Sequence, residues 1–327
     1  MELFRGVNVD WLGKKWYFLG FSLIFSVAGL CSMGWHWAHP VGGVRSPVPL
    51  GVDFRGGTEV QVQFQNAPDI SGIRAAMDAA GIKDAKIQSY NTQGAANEVL
   101  ISLPEQHDET SLDAGRQQIV TALHDHYNNY FDPSGVKVDV VGPTVGHQLE
   151  KQALLATLYS LLGMLVYLWF RFQLIYGVAA VVAVFHDTLI TLGAFALTNQ
   201  EISLTVIAAI LTLVGYSMND TIVVFDRIRE NLRLSRRESL PDVVNRSINQ
   251  TLSRTVLTSG LTFLTVLSLY IFGGEVLRGF SFALVVGILI GTYSSIAVAA
   301  PMLVAWQQWR TSSGKTAVLP SAKRPKV

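Results

Sequence analysis

Two acids stand where acids are costly. Asp187 and Asp220 lie in stretches of chain that are otherwise free of charge, each long enough to cross a bilayer. A carboxylate at mid-membrane costs at least about 2.5 kcal/mol, so such a side chain normally faces a bundle interior and has work to do. Asp187 follows His186 near the middle of its stretch. Asp220 lies about 9 Å deeper along a helix axis than Asp226. It belongs to the run Gly215-Tyr216-Ser217-Met218-Asn219-Asp220-Thr221, unusually rich in hydroxyl and amide groups for a membrane span. Arg254 opens a later apolar stretch and is followed by Thr255, Thr258 and Ser259. Burial disfavours the charged form of a carboxyl, and a nearby cation favours it. A buried acid with a guanidinium in reach is therefore a candidate proton carrier, with Asn219 and Thr221 as polar neighbours and Asp187 as a second intramembrane acid. One proton moved through 100 mV is worth about 2.3 kcal/mol, a bias of about 50-fold on a two-state equilibrium. Plainer roles stand beside these: Asp220 as a staple between helices, Asp187 as the partner of His186 alone, and Arg254 as an interfacial anchor.

The elements that must hold these groups are membrane helices. The chain has 327 residues, of which half are hydrophobic and 15% charged, against about 25% charged in ordinary soluble domains. Six candidate spans can be read: Trp16 to Pro40, Gln152 to Phe170, Phe172 to Thr198, Ile202 to Phe225, Thr255 to Gly274 and Gly279 to Trp309. The first is expected to be an uncleaved anchor, since no small-residue cleavage site follows it. Basic residues crowd the ends of alternate loops: Lys14, Lys15, Arg171, Arg227, Arg229, Arg233, Arg254 and Arg310 fall on one side, and only Arg278 occupies a short loop on the other. The positive-inside rule then puts both termini in the cytoplasm. The expected order is a cytoplasmic start and first span over 1–40, an outer domain over 41–150, and a five-span bundle over 151–310. A cytoplasmic loop at 227–253 interrupts that bundle, and a flexible tail comes after it at 311–327. Within the loop, Ser239 is placed to cap a helix leading into the fifth span. A formal charge of +1 gives no reason to expect nucleic acid. A single cysteine and scattered histidines give no reason to expect a metal or any other cofactor.

The outer block carries seven basic against fourteen acidic side chains, and about 110 residues suffice for a separate core. Val60, Val62 and Phe64 alternate with polar residues as a half-buried strand does. Ile70, Ile73 and Met77 recur at helical spacing as far as Gly81, and strands come next at Ile87 and at Val99 to Ile101, joined by a turn-rich segment over Asn91 to Asn97. A second helix is expected after Thr110 with Ile119 and Leu123 inward, then a last strand over Val136, Val138 and Val140. The order β-α-β-β-α-β predicts a ferredoxin-like α+β domain.

Gly51-Val52-Asp53-Phe54-Arg55-Gly56-Gly57-Thr58 closely resembles the VDF-x-GG signature of the SecD/SecF protein-export family, and Val141-Gly142-Pro143-Thr144-Val145-Gly146 resembles its second junction. The run Gly215 to Thr221, followed by Asp226-Arg227-Ile228-Arg229-Glu230, is similar to the SecF version of the fourth span, and Arg254-Thr255 with Thr258-Ser259 to the start of its fifth. The likeness extends to about residue 310. It implies half of a bundle akin to the resistance-nodulation-division transporters, residing in the bacterial inner membrane with a periplasmic outer domain. It implies SecD as the other half and the SecYEG channel as the docking site, with YajC, YidC, the translocating preprotein and membrane lipid in the surroundings. The implied function is export driven by the proton motive force, without covalent catalysis and with the proton as the only coupled species. In that family a fourth-span aspartate and a fifth-span arginine serve proton passage, and the matching residues are Asp220 and Arg254. Asp53, Gly56, Gly57, Gly142 and Pro143 then mark the junctions between domain and bundle, with the glycines as hinges.

Other classes share some of these features. A proton-driven small-molecule efflux half-transporter would have the same bundle, but its outer part is usually larger. An intramembrane aspartyl protease would pair Asp187 with Asp220, but Ser217-Met218-Asn219-Asp220 is not its GxGD loop, and an arginine partner would spoil a shared-proton dyad. A passive assembly scaffold would need no titrating acid at all.

Overall fold

The computed structural model describes residues 8–40, 45–66, 68–82, 85–92, 95–104, 117–125, 136–141, 143–172, 174–235 and 238–313. Among the described residues, six stretches of helix are long and apolar enough to cross a membrane: Lys15–Ala38, Val145–Arg171, Leu174–Thr198, Leu204–Leu234, Leu240–Phe272 and Leu277–Ser312. The first is α1 (Lys15–Ala38), the second lies in α5 (Pro143–Arg171), and α6 (Leu174–Thr198), α7 (Leu204–Leu234) and α8 (Leu240–Phe272) are the next three. The sixth is composite, with α9 (Gly274–Ser294) running through one π-helical segment, Ser295–Ala299, into α10 (Ala300–Ser312). Pro301 lies at the start of α10 and has no N–H to continue the α-helical ladder, so the wider π turn just before it absorbs the misfit.

The spans divide by what they face. On α1, α5 and α8, large apolar side chains such as Phe21, Ile24, Leu154, Leu158, Leu261 and Ile271 are exposed, as lipid-facing residues must be. On α6 and α7 they are mostly inward: Ala180, Ala183, Val184, Leu213, Val214, Val224 and Phe225 are buried. α1 reaches α6 through two glycines, since a Cβ on Gly29 would lie 2.9 Å from the Cα of Gly193. At the far end from the α/β domain, Trp11 donates its backbone N–H to Asn245 and its indole N–H to Asn249, which fastens the start of the chain to α8.

Most of residues 227–253 are helical. α7 runs on to Leu234, and α8 begins at Leu240 with Ser239 as its N-cap, its hydroxyl accepting from the Asp242 N–H. The extensions persist because each has an apolar stripe: Ile228 and Leu232 pack with Val243, Val244 and Ile248. Helix also starts earlier than the sequence boundary at 150 suggests, because Pro143, favoured in a first turn, opens α5.

Between α1 and α5 lie α2 (Val52–Arg55), β1 (Gly57–Gln63), α3 (Ile70–Ala79), β2 (Lys86–Thr92), β3 (Ala95–Pro104), a helix over 117–125 (α4) and β4 (Lys137–Val141). The sheet order is β2-β3-β1-β4, every pair antiparallel, which is the split β-α-β arrangement expected. The expected turn over Asn91 to Asn97 is shorter than predicted, since β2 continues to Thr92 and β3 begins at Ala95. Val60 pairs with Ile101 and Val138, and Val60, Val62, Ile101, Ile73, Met77, Ile119 and Leu123 form one core under the two helices. Thr110 and the tail beyond 313 lie outside the described residues.

Candidate functional site

α6, α7, α8 and α9 bring the intramembrane acids into two separate polar centres. At the first, Asp187 is 0% exposed. One carboxylate oxygen accepts from the Ser217 hydroxyl of α7 at 2.5 Å and from the Ser294 hydroxyl of α9 at 2.8 Å. The other lies 3.0 Å from His186 Nδ1, and the opposite ring nitrogen of His186 meets the Ser22 hydroxyl of α1. Four helices thus meet around the His186-Asp187 pair, and Ser294 stands immediately before the π-helical segment. Close packing makes this possible: a Cβ on Gly291 would stand 3.0 Å from the Ser217 Cβ, so glycine lets α9 approach α7 without displacing Ser217.

At the second centre, Asp220 is 3% exposed, and its carboxylate accepts from the Ser259 hydroxyl of α8 at 2.6 Å. Thr221 is buried beside it, donating to the Ser217 carbonyl at 3.2 Å. Thr255, one turn before Ser259, is 1% exposed with a hydroxyl that has no hydrogen-bond partner among the described residues. The same face of α8 continues through Thr251 and Ser247, both buried, to Asn231 of α7, which donates to Ser247 at 2.9 Å.

Arg254 is not the direct partner that the sequence suggests. Among the described residues Asp220 forms no ion pair within 4.0 Å, and Arg254 acts on it only through longer-range Coulomb attraction. The reason is helical phase. Thr255 and Ser259 point towards α7, and a residue one position earlier is turned by about 100°, which leaves Arg254 exposed. Asn219 is exposed as well, as are Gly215 and Thr212 along the same face of α7. Asp187 and Asp220 share no hydrogen bond, although Ser217 and Asp220 occupy successive turns of one helix.

The junction residues sit at the domain end of the bundle. Asp53 lies in α2 and accepts the Leu204 N–H at the start of α7 at 2.8 Å. Gly56 and Gly57 have φ of 76° and 139°, and a Cβ on Gly57 would stand 2.3 Å from the Leu103 carbonyl oxygen, so glycine is demanded by conformation and space together. Pro143 begins α5; Gly142 lies outside the described residues. Sequence reasoning does not single out Ser217, Ser294 and Ser22 as partners of the His186-Asp187 pair. Their signal is faint, because single serines in apolar spans commonly bond to their own helix backbone.

Comparison with known proteins places this geometry. Residues 120–309 match the sequence family described as protein export membrane protein SecD/SecF, C-terminal, and residues 44–68 match the SecD/SecF GG motif. The protein translocase subunit SecF of Koribacter versatilis is 56% identical, covering 98% of this chain and 96% of the relative. That of Desulfurispirillum indicum is 43% identical, with 93% of each covered. Among solved structures, SecDF of Thermus thermophilus, described as a translocon-associated membrane protein, is 36% identical with a TM-score of 0.76 over 94% of this chain. A super-membrane-facing form of SecDF gives a TM-score of 0.65. The chain spans 40% of that SecDF chain. Motif, bundle and outer domain therefore agree with sequence identity over nearly the full length: this multi-pass membrane protein belongs to the SecD/SecF family of protein-export membrane proteins.

Proposed function

We propose that the chain is the SecF-type accessory subunit of the Sec protein translocase, that it pairs with SecD, and that proton binding at Asp220 couples the proton motive force to export. The observation that carries the reading is Asp220 itself: a carboxylate buried among membrane helices, with the Ser259 hydroxyl as its one donor among the described residues and the Arg254 guanidinium acting on it. Uptake of a proton removes the attraction to Arg254, weakens the charge-assisted bond from Ser259 and gives the carboxyl a hydrogen to donate. Release restores the attraction and the bond. Each exchange changes what holds α7 against α8, and so tilts the bundle between two packings. Asp187, with three donors already around it, fits a fixed brace better than a carrier.

The pairing with SecD is supported by the outward face of α7 and α8. Thr212, Gly215, Asn219, Arg254 and Thr258 are exposed there on a single chain, and polar groups at membrane depth require protein or water beside them. The basic loop ends support an orientation in the bacterial inner membrane with both termini cytoplasmic and the α/β domain periplasmic. Docking on SecYEG, proximity to YajC and YidC, and contact of the outer domain with the emerging preprotein belong to the same proposal. The work requires no cofactor and no covalent step. The decisive experiment is Asp220→Asn: assembly with SecD and thermal stability should persist while proton-dependent stimulation of export is lost. Full stimulation in that variant would refute the reading.

A further inference from the structure

One carboxylate of the GG motif, Asp53, is left without a task by the proposal above. The first N–H groups of a helix have no partner within it and attract anions, aided by the helix dipole. At the start of α7, Ser203 accepts the Val206 N–H at 3.4 Å, a long bond, whereas Asp53 accepts the Leu204 N–H at 2.8 Å. The backbone adds a second tie beside it. Gly51 donates to the Ile202 carbonyl at 2.9 Å, and Ile202 donates to the Pro49 carbonyl at 2.8 Å. Phe54, next to Asp53, is buried with Ile202, Val206 and Phe195. From the other side α5 braces the same turn, since a Cβ on Gly146 would lie 2.7 Å from the Phe54 carbonyl oxygen.

Beyond Asp53 the chain enters the outer domain. Only Gly56 separates α2 from β1, and β1 is an inner strand, paired with both β3 and β4. Leu204 opens the helix that carries Asp220, which lies about 24 Å further along. The geometry points to Asp53 as the fastener that couples the outer domain to α7. Its carboxylate grips the free end of the helix, so that displacement of α7 reaches β1 through α2 without slack. This rests on the reading of Asp220 as the proton site. On this inference Gly57, where an added Cβ would lie 2.3 Å from the Leu103 carbonyl oxygen, is a close-packed relay between α2 and β1.

The test uses the full-length chain in complex with SecD and the translocase, reconstituted in proteoliposomes. Asp53→Ala removes the acceptor, and Asp53→Asn keeps one. Leu204→Pro removes the donor at the first helical position, where proline is tolerated. Three quantities are read: proton uptake, stimulation of export, and the spin-label distance between Ala75 on α3 and Ala208 on α7 in a Cys31→Ser background. Asp53→Ala and Leu204→Pro should both keep wild-type proton uptake, lose export stimulation by about tenfold, within the range of a coupling free energy, and broaden the distance distribution. Asp53→Asn should recover most of the stimulation. An unchanged distribution with wild-type stimulation in Asp53→Ala and Leu204→Pro overturns the inference, as does a proportional loss of proton uptake and export. Should Asp220→Asn keep its proton uptake, the Asp220 reading fails by itself, and the distance distributions still decide whether Asp53 fastens the domain.

Discussion

Asp187 and Asp220 are both buried in the membrane bundle, yet they are held in opposite ways. Asp187 is surrounded by the Ser217 and Ser294 hydroxyls and by His186, from three helices including its own. Asp220 has the Ser259 hydroxyl, a guanidinium that makes no ion pair with it and, one turn of α8 away, a Thr255 hydroxyl with no hydrogen-bond partner among the described residues. A carboxylate whose acceptor sites are occupied is expensive to disturb, because every donor around it loses its partner at once. One held by a single hydroxyl can change its proton at the expense of one bond. Burial alone therefore does not identify a carrier; the number of committed donors does.

The contrast can be broken by experiment. The largest expected effect is that Asp187→Ala destabilises the protein by about 3–5 kcal/mol, the usual penalty for removing one member of a buried charged network, read by chemical unfolding in detergent micelles. Asp220→Asn should change stability by less than about 1 kcal/mol, since asparagine keeps an acceptor oxygen for the Ser259 hydroxyl and the net change is that of about one hydrogen bond, while abolishing proton-dependent export. Equal stability losses in the two variants would erase the distinction. Next, Gly291→Ala sets a methyl 3.0 Å from the Ser217 Cβ and should cost about 1–3 kcal/mol by overpacking. It loosens the Asp187 centre, and proton uptake at Asp220 should stay intact. Thr255→Val removes a buried hydroxyl that has no partner among the described residues and should stabilise the protein by about 1 kcal/mol. A destabilised Thr255→Val would show that the hydroxyl is bridged to the Asp220 centre.

The smallest effect belongs to a carboxylate at the other extreme. Asp69 caps α3 in the exposed edge of the outer domain, and its hydrogen bonds from the Ser71 hydroxyl and the Ser71 N–H hold its carboxyl below the usual range. A lowered folded value means that the cap contributes above the unfolded value of about 3.9 and is lost as pH falls through the lower folded value. Asp69→Ala should therefore melt slightly below wild type at pH 7 and converge with it in acid. A gap that persists below that range would assign the loss to packing.

Much of this protein is legible in its chain alone. The six spans follow from the gaps between charges, because a bilayer enforces length and composition with little tolerance. The order of the outer domain follows from period-two alternation at Val60, Val62 and Phe64 and helical spacing at Ile70, Ile73 and Met77. Asp187 and Asp220 stand out because a lone acid in an apolar run has few innocent explanations. Which donor each acid meets is decided only in three dimensions. That depends on the rotational phase of facing helices, and a turn of about 100° per residue separates Ser259, which touches Asp220, from the more obvious Arg254. The grip of Asp53 on Leu204 and the meeting of Ser22, Ser217 and Ser294 around the His186-Asp187 pair are hidden for the same reason: each joins residues far apart in the chain, and local pattern carries no record of such pairings.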